Sequence, residues 1–310
     1  MSIERLVDPF NRVIDSFRIL VTSRCNYNCI FCHREGVFKM SHETFSPSDY
    51  GFIAKTVSNL GILNYKLTGG EPLIRPDIAD IIKEIRPYAK EISIVTNGYL
   101  LFEKIKQLVD AGLDRINVSL HSINPETYRY ITSNGHLVNV LKGIEESLSY
   151  NISLKINFLA MRSNIEEFPR VLEFAEKRKI NVNVIELIPL GVPRDVYLKE
   201  HVSLIPIINY LEGRSIEKYY RDLQNRPVYV LDSGIKVEVV IGYENYLFCN
   251  KCSRLRLTPD GYLKPCLYVE NPQVNIVESV KNQDTSAVVK AFKEITSLRQ
   301  PYFKLKEVIQ

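Results

Sequence analysis

The sequence predicts an α/β fold with a parallel sheet covered by helices. Three observations carry that prediction: six short β-branched runs, apolar stripes of helical spacing between them, and glycine or proline punctuation at the junctions. The runs are Phe17 to Thr22, Leu63 to Thr68, Ile92 to Thr96, Arg115 to Leu120, Ile152 to Phe158 and Val182 to Leu187. Each reads as a buried strand. The stripes are Ile78, Ile81, Ile82 and Ile85; Ile105, Leu108 and Val109 before Gly112; Leu137, Leu141, Ile144 and Leu148; and Phe168, Val171, Leu172 and Ala175. These are core faces. The helix after the first loop starts at Ser46-Pro47, a cap followed by proline at the first position, and stops at Gly61. Six such units without a switch in topology favour a partial βα barrel over a doubly wound sheet. In either, functional groups lie in loops at the carboxyl ends of strands.

From about Ser215 the pattern changes to shorter β runs, Val228 to Leu231 and Ile235 to Ile241, then Arg254 to Leu257 and Tyr262 to Lys264 around a Pro259-Asp260-Gly261 turn. The expected division is therefore 1–214 and 215–310. No internal repeat or low-complexity linker is visible.

The 310 residues, 45% hydrophobic and 25% charged, suit one large or two smaller packed domains and exclude wholesale disorder or collagen-like order. Forty Lys and Arg against 36 Asp and Glu give a net charge of +4 with no basic stripe. That argues against a duplex nucleic-acid binder and suits an anionic small molecule. The charged start Met1-Ser2-Ile3-Glu4-Arg5 leads into no apolar signal region, and no run approaches the roughly 18 residues of a membrane span. The expectation is a cytoplasmic protein, where six cysteines are free, catalytic or metal-bound rather than disulfide-paired.

All six fall into two triplets, Cys25-x3-Cys29-x2-Cys32 after the first strand and Cys249-x2-Cys252-x13-Cys266 in the C-terminal part. Three thiolates in a short loop can hold three corners of an iron–sulfur cubane. A cubane needs four ligands, so each triplet leaves one iron open. Other occupants compete. Cys29-Ile30-Phe31-Cys32-His33 matches a haem-attachment string but leaves Cys25 unexplained. Zinc in the first loop needs a fourth ligand that His33, adjacent to Cys32, is badly placed to supply, whereas the second triplet looks like half of a zinc ribbon.

These motifs resemble a known family. The first triplet is similar to the signature of radical S-adenosylmethionine enzymes, and both triplets together resemble one branch, the GTP 3′,8-cyclases of molybdenum-cofactor biosynthesis. The resemblance runs over nearly the whole chain: 17–22 leading into Arg24-Cys25-Asn26, Leu67-Thr68-Gly69-Gly70-Glu71-Pro72-Leu73, Thr96-Asn97-Gly98, Asn117-Val118-Ser119-Leu120, and Arg254-Leu255-Arg256-Leu257 before Asp260-Gly261. It implies an incomplete six-stranded (βα)6 barrel whose open side the C-terminal β-containing element covers. It also implies two 4Fe-4S clusters, with S-adenosyl-L-methionine on the open iron of the first and GTP at the second.

By that resemblance Gly69, Gly70 and Glu71 would serve the methionine amino group, and Phe31, Ser119 and Ile188 the rest of S-adenosylmethionine. Apart from the resemblance, two glycines after a strand let the backbone approach a ligand closely, or simply make a βα turn. The resemblance further implies that Arg18, Lys66, Val95, Lys155, Arg254 and Arg256 bind GTP. Arg254 and Arg256, two apart in a β run, share one face and need an anion between them, which a triphosphate provides. On spacing alone they also fit a solvated strand face.

The implied reaction is radical: a reduced first cluster cleaves S-adenosylmethionine, the 5′-deoxyadenosyl radical removes hydrogen from the GTP C3′, and C3′ attacks C8. No general acid or base is required. The implied partners are GTP, a low-potential electron donor and, downstream, cyclic pyranopterin monophosphate synthase; the resemblance also allows a homodimer. Asn64, Asn183 and Ile188 depart from the Lys, Arg and Met expected there, and the chain ends Val308-Ile309-Gln310 without a Gly-Gly tail. A radical S-adenosylmethionine enzyme acting on a peptide or another nucleotide, and a two-cluster electron-transfer protein, are the alternatives.

Overall fold

The computed structural model describes residues 5–271 and 273–303. The charged first four residues and the Val308-Ile309-Gln310 end lie outside them. Six strands alternate with helices in the first two-thirds: β1 (Ser16–Thr22), β2 (Asn64–Gly69), β3 (Glu91–Thr96), β4 (Arg115–Ser119), β5 (Ser153–Ala160) and β6 (Asn181–Glu186). All five consecutive pairs are parallel. Parallel neighbours need a crossover, and the intervening helices supply it.

The helices form where their stripes predict. In helix Ile78–Ile85 the four isoleucines are buried, and in helix Phe168–Lys177 Phe168, Val171, Leu172 and Ala175 are. Both sets join the larger of two apolar core clusters. Helix Pro47–Ser58 starts with a capping box, in which the Ser46 hydroxyl accepts from the Asp49 amide and Asp49 accepts from the Ser46 amide.

Six more strands follow: β7 (Ser215–Tyr220), β8 (Pro227–Leu231), β9 (Lys236–Val240), β10 (Arg254–Leu257), β11 (Tyr262–Lys264) and β12 (Val274–Asn275). These late strands join the first six in one sheet rather than forming a sheet of their own. One 12-stranded sheet runs β12-β11-β10-β1-β2-β3-β4-β5-β6-β9-β8-β7. β10 lies parallel to β1 and β9 parallel to β6, and the outer pairs are antiparallel. The physical reason is the edges: β1 and β6 would otherwise carry unpaired backbone groups, and the late strands cover both. The result is a large, mostly parallel α/β sheet in which β10 flanks Ser16 to Ile19 of β1. Among the described residues no helix is long and apolar enough to cross a membrane.

Candidate active site

The first triplet follows β1 directly. Its loop is pinned by the segment after β2: the Gly70 amide donates to Thr22 O at 2.9 Å and the Glu71 amide to Arg24 O at 2.8 Å. A Cβ on Gly69 would lie 2.3 Å from Thr22 O, and one on Gly70 2.0 Å from Arg24 O. In the protein itself, then, the close approach that needs glycine is to the backbone leading into Cys25.

Glu71 points the other way. Its carboxylate accepts from the Leu73 amide, the Thr96 hydroxyl and the Asn97 amide at 2.9, 2.7 and 2.7 Å, and the Asn97 side chain donates to Asn26 Oδ1 at 2.8 Å. Thus the Thr96-Asn97-Gly98 turn, the Gly-Gly-Glu segment and the first thiol loop form one hydrogen-bonded unit. Burial raises Glu71 to about 7, against the pull of those three donors.

One cavity of about 380 Å³ gathers the site. All six cysteines line it, as do Phe31, Gly69, Gly70, Ser119, Ile188, Arg18, Lys66, Val95, Arg254 and Arg256. Of the expected site residues only Glu71 and Lys155 do not. All six thiols are free. Burial pushes Cys25 up to about 11 and Cys29 higher still. Burial also acts on Cys252, but Arg299, Arg254 and Arg256 outweigh it and hold that thiol below its ordinary value. His33 accepts the Glu35 amide on Nδ1 at 3.0 Å, so that nitrogen is spoken for. Among the described residues no three His, Cys, Asp or Glu side chains converge on a single metal-ion position.

The cations form a row. Lys66 pairs in register with Arg18, and Arg18 with Arg256, across β2, β1 and β10. Leu255 and Leu257 are fully buried, while Arg254 and Arg256 both face the cavity. Sequence reasoning missed the acid among them. Glu35, three residues after Cys32, accepts from Arg256 Nη1 at 2.6 Å and from the Thr68 hydroxyl at 3.2 Å, and Arg18 Nη2 lies 3.4 Å away. Burial alone would raise Glu35; Arg18 and Arg256 hold it well below the carboxylate range. Its left-handed backbone, φ 52°, turns it inward, a feature no spacing rule displays.

Lys155 instead lines an adjoining cavity of about 200 Å³ with Lys66, Arg115, Arg221, Arg226 and Arg254. It is paired with Glu238, which also meets Arg221 at 2.9 Å and Arg226 at 3.4 Å. Asn64 lines this second cavity and donates to Asp15 O, while Asn183 lines both and donates to Asn157 Oδ1 at 2.8 Å. Arg18 Nε, Asn117 Oδ1 and Asn183 Oδ1 are buried without a protein partner. Buried polar atoms cost free energy unless bonded, so these wall positions suit a polar ligand.

His121, also missed, packs edge-on against the Phe31 ring at 4.7 Å. Its Nδ1 accepts the Leu159 amide, and burial lowers it to about 3, so it is neutral with the proton on Nε2. Glu186 and His201 approach to 3.6 Å, but burial raises the acid to about 7 and lowers the imidazole, so the contact is not an ion pair at neutral pH.

A three-thiol loop after the first strand of a parallel sheet, braced by Gly-Gly-Glu-Pro from the second, is the framework of radical S-adenosylmethionine proteins. The Radical SAM superfamily model matches residues 19–175, and the Molybdenum Cofactor Synthesis C model residues 180–305. A probable GTP 3′,8-cyclase of Methanocaldococcus jannaschii is 39% identical over 302 residues, covering 96% of this chain and 99% of that one. A probable GTP 3′,8-cyclase of Thermococcus kodakarensis is 39% identical over 309 residues, covering 96% and 100%. The chain belongs to the GTP 3′,8-cyclase family of the Radical SAM superfamily. The fold is shared with Streptococcus suis SuiB bound to S-adenosylmethionine, at TM-score 0.67 and 14% identity over 97% of this chain and 79% of that one. It is shared also with anSMEcpe with bound AdoMet, at TM-score 0.60 and 15% identity over 92% and 84%.

Proposed function

We propose that this chain converts GTP to (8S)-3′,8-cyclo-7,8-dihydroguanosine 5′-triphosphate, the first step of molybdenum-cofactor biosynthesis. The observation that carries the proposal is the row Lys66, Arg18 and Arg256, in register across three strands, on the wall of a cavity that both thiol triplets also line. Two guanidiniums and an ammonium on one wall suit a polyanion.

The donor set fits two 4Fe-4S clusters, since each triplet offers three free thiols and soft thiolates suit iron–sulfur centres. Cys25, Cys29 and Cys32 would hold the first, Cys249, Cys252 and Cys266 the second. When bound, the first cluster with S-adenosyl-L-methionine supplies one-electron chemistry that ends in hydrogen abstraction. The chain supplies orientation and dryness. In this proposal Gly69, Gly70 and Glu71 shape the methionine end of the site and Phe31, Ser119 and Ile188 the adenosyl end. Arg18, Lys66, Val95, Arg254 and Arg256 hold GTP, with Lys155 reaching it from the adjoining cavity. Strands β1–β6 would form the incomplete barrel, divided near residue 214 from the covering part. The enzyme would be cytoplasmic, reduced by a low-potential donor, able to form a homodimer, and followed by cyclic pyranopterin monophosphate synthase.

The test is anaerobic incubation of reduced protein with S-adenosylmethionine and GTP deuterated at C3′. Deuterium should appear in 5′-deoxyadenosine together with a cyclised nucleotide. Equal 5′-deoxyadenosine formation without GTP would favour a peptide or another nucleotide as substrate, and no cleavage at all an electron-transfer protein.

A further inference from the structure

Residues 6–14 precede both matched family regions, yet they reach the second thiol triplet. A Val7–Val13 bridge closes a hairpin whose turn uses Asn11 in the left-handed region, φ 61°. The amides of Phe10 and Arg12 donate to Asp8 Oδ1 at 2.9 and 3.0 Å, which holds the Asp8 side chain across the turn. Its other oxygen, Oδ2, accepts from Arg12 Nε at 2.5 Å and lies 3.2 Å from Arg299 Nη1.

Asp8, Arg12 and Arg299 have side chains only 0, 6 and 4% exposed. Other donors of the two arginines reach main-chain carbonyls, two of them those of thiol-bearing residues. Arg12 donates to Cys249 O at 2.9 Å, Gln300 O at 2.6 Å and Pro301 O at 3.1 Å. Arg299 donates to Cys252 O at 2.7 Å. Two of the three thiol-bearing residues thus have their carbonyls fixed by guanidiniums that share one buried carboxylate. Two cations against one anion also leave a surplus positive charge beside the thiols.

We propose that Asp8, Arg12 and Arg299 are positioning residues for the second iron–sulfur cluster, so that the N-terminal hairpin is part of that site. The inference rests on the reading that Cys249, Cys252 and Cys266 hold a cluster. Fixing the Cys249 and Cys252 backbone sets where two thiolates project, and the surplus charge biases a thiolate-ligated, anionic cluster toward its reduced state.

The experiment uses full-length protein reconstituted anaerobically, with iron per chain, reduction potentials and electron paramagnetic resonance of each cluster as readouts. The parent should hold about eight irons. Arg12→Met should lose about half of them, and the signal that remains should still change when S-adenosylmethionine is added, which marks it as the first cluster. Arg12→Lys keeps the charge without the fork and should recover part of the loss. Asp8→Asn keeps the shape and should either lose second-cluster iron or move that cluster's potential upward, because the two cations lose their anion. Should Arg12→Met fail to fold, Asp8→Asn decides alone. Parent iron content, potential and spectrum in Asp8→Asn would overturn the proposal, since the network would then only fasten the N-terminus. A parent chain that takes up zinc and no iron at Cys249, Cys252 and Cys266 would instead remove the cluster reading beneath it.

Discussion

Arg256 Nη1 lies 2.6 Å from Glu35 Oε2, and the two buried side chains are 221 positions apart. Glu35 belongs to the loop of the first triplet and Arg256 to the strand after Cys252. A second tie runs parallel to it, from Lys264 Nζ to Gly36 O at 2.7 Å. The two thiol-bearing loops are therefore braced against each other by charge.

Breaking a buried pair by removing one partner costs about 3–5 kcal/mol, so Glu35→Gln should lower stability on that scale. The sign is clear for pH as well. Glu35 is held below its ordinary value of 4.5, so its contribution is complete above pH 4.5 and is lost only as acid titrates the lowered folded value. Denaturant melts of parent and variant should differ throughout neutral pH, and coincident melts would show the pair to be idle.

Truncating one partner of a desolvated charge pair costs about 2 to 5 kcal/mol, and 1.4 kcal/mol is roughly tenfold in affinity. Arg256→Ala should therefore weaken GTP binding tens-fold or more in calorimetric titration, and weaken guanosine binding less. Lys281→Ala should matter little, because its pairing with Asp49 is at the surface. Parent-like GTP affinity in Arg256→Ala would move the phosphates elsewhere.

Glu238 meets Lys155, Arg221 and Arg226 inside the adjoining cavity, and those cations hold it down to about 2 although burial opposes them. Glu238→Gln should destabilise the protein, and GTP should raise the melting temperature of the variant more than that of the parent, since a triphosphate replaces the lost anion. Equal GTP-induced shifts would place the triphosphate away from Lys155.

Glu71 titrates in the opposite sense. With its folded value raised from 4.5 to about 7, the native state binds the extra proton between those pH values, so ligand-free protein should lose stability as pH rises through that window. The full shift corresponds to a few kcal/mol, at about 1.4 per unit. Glu71→Gln should flatten the profile of melting temperature against pH; an unchanged slope would assign it to other groups.

Gly70→Ala places a methyl 2.0 Å from Arg24 O, so the backbone before Cys25 must move. Overpacking of this kind costs about 1–3 kcal/mol. The variant should take up less iron at the first triplet while the second fills normally, which iron content with and without Cys249→Ala would separate. Full iron uptake would mean that the loop yields without consequence.

The strands were legible because a buried apolar face recurs at every second position, as Leu154, Ile156 and Phe158 do in β5. All six runs of the first two-thirds match β1–β6 to within two residues at each end, and Arg254 to Leu257 and Tyr262 to Lys264 coincide with β10 and β11. β7 was not, since Ser-Ile-Glu-Lys-Tyr-Tyr sits exposed at the sheet edge and carries no core pattern. The cysteines declared themselves by spacing. Glu35, Glu238, Asp8 and Arg299 did not, because an ion pair between distant segments has no period; only the folded sheet brings Glu35 to Arg256 or Asp8 to Arg299.

The place of β1 in the sheet, between β2 and β10, governs how the chain can be made. As synthesis proceeds, one side of β1 can pair with β2 early, but the other waits until residues 254–257 leave the ribosome. Until then the growing protein carries an open strand edge, which invites wrong partners. The segment that closes it is the one just after Cys252. Closing of that edge and delivery of the second thiol triplet thereby both fall late in the life of each nascent chain.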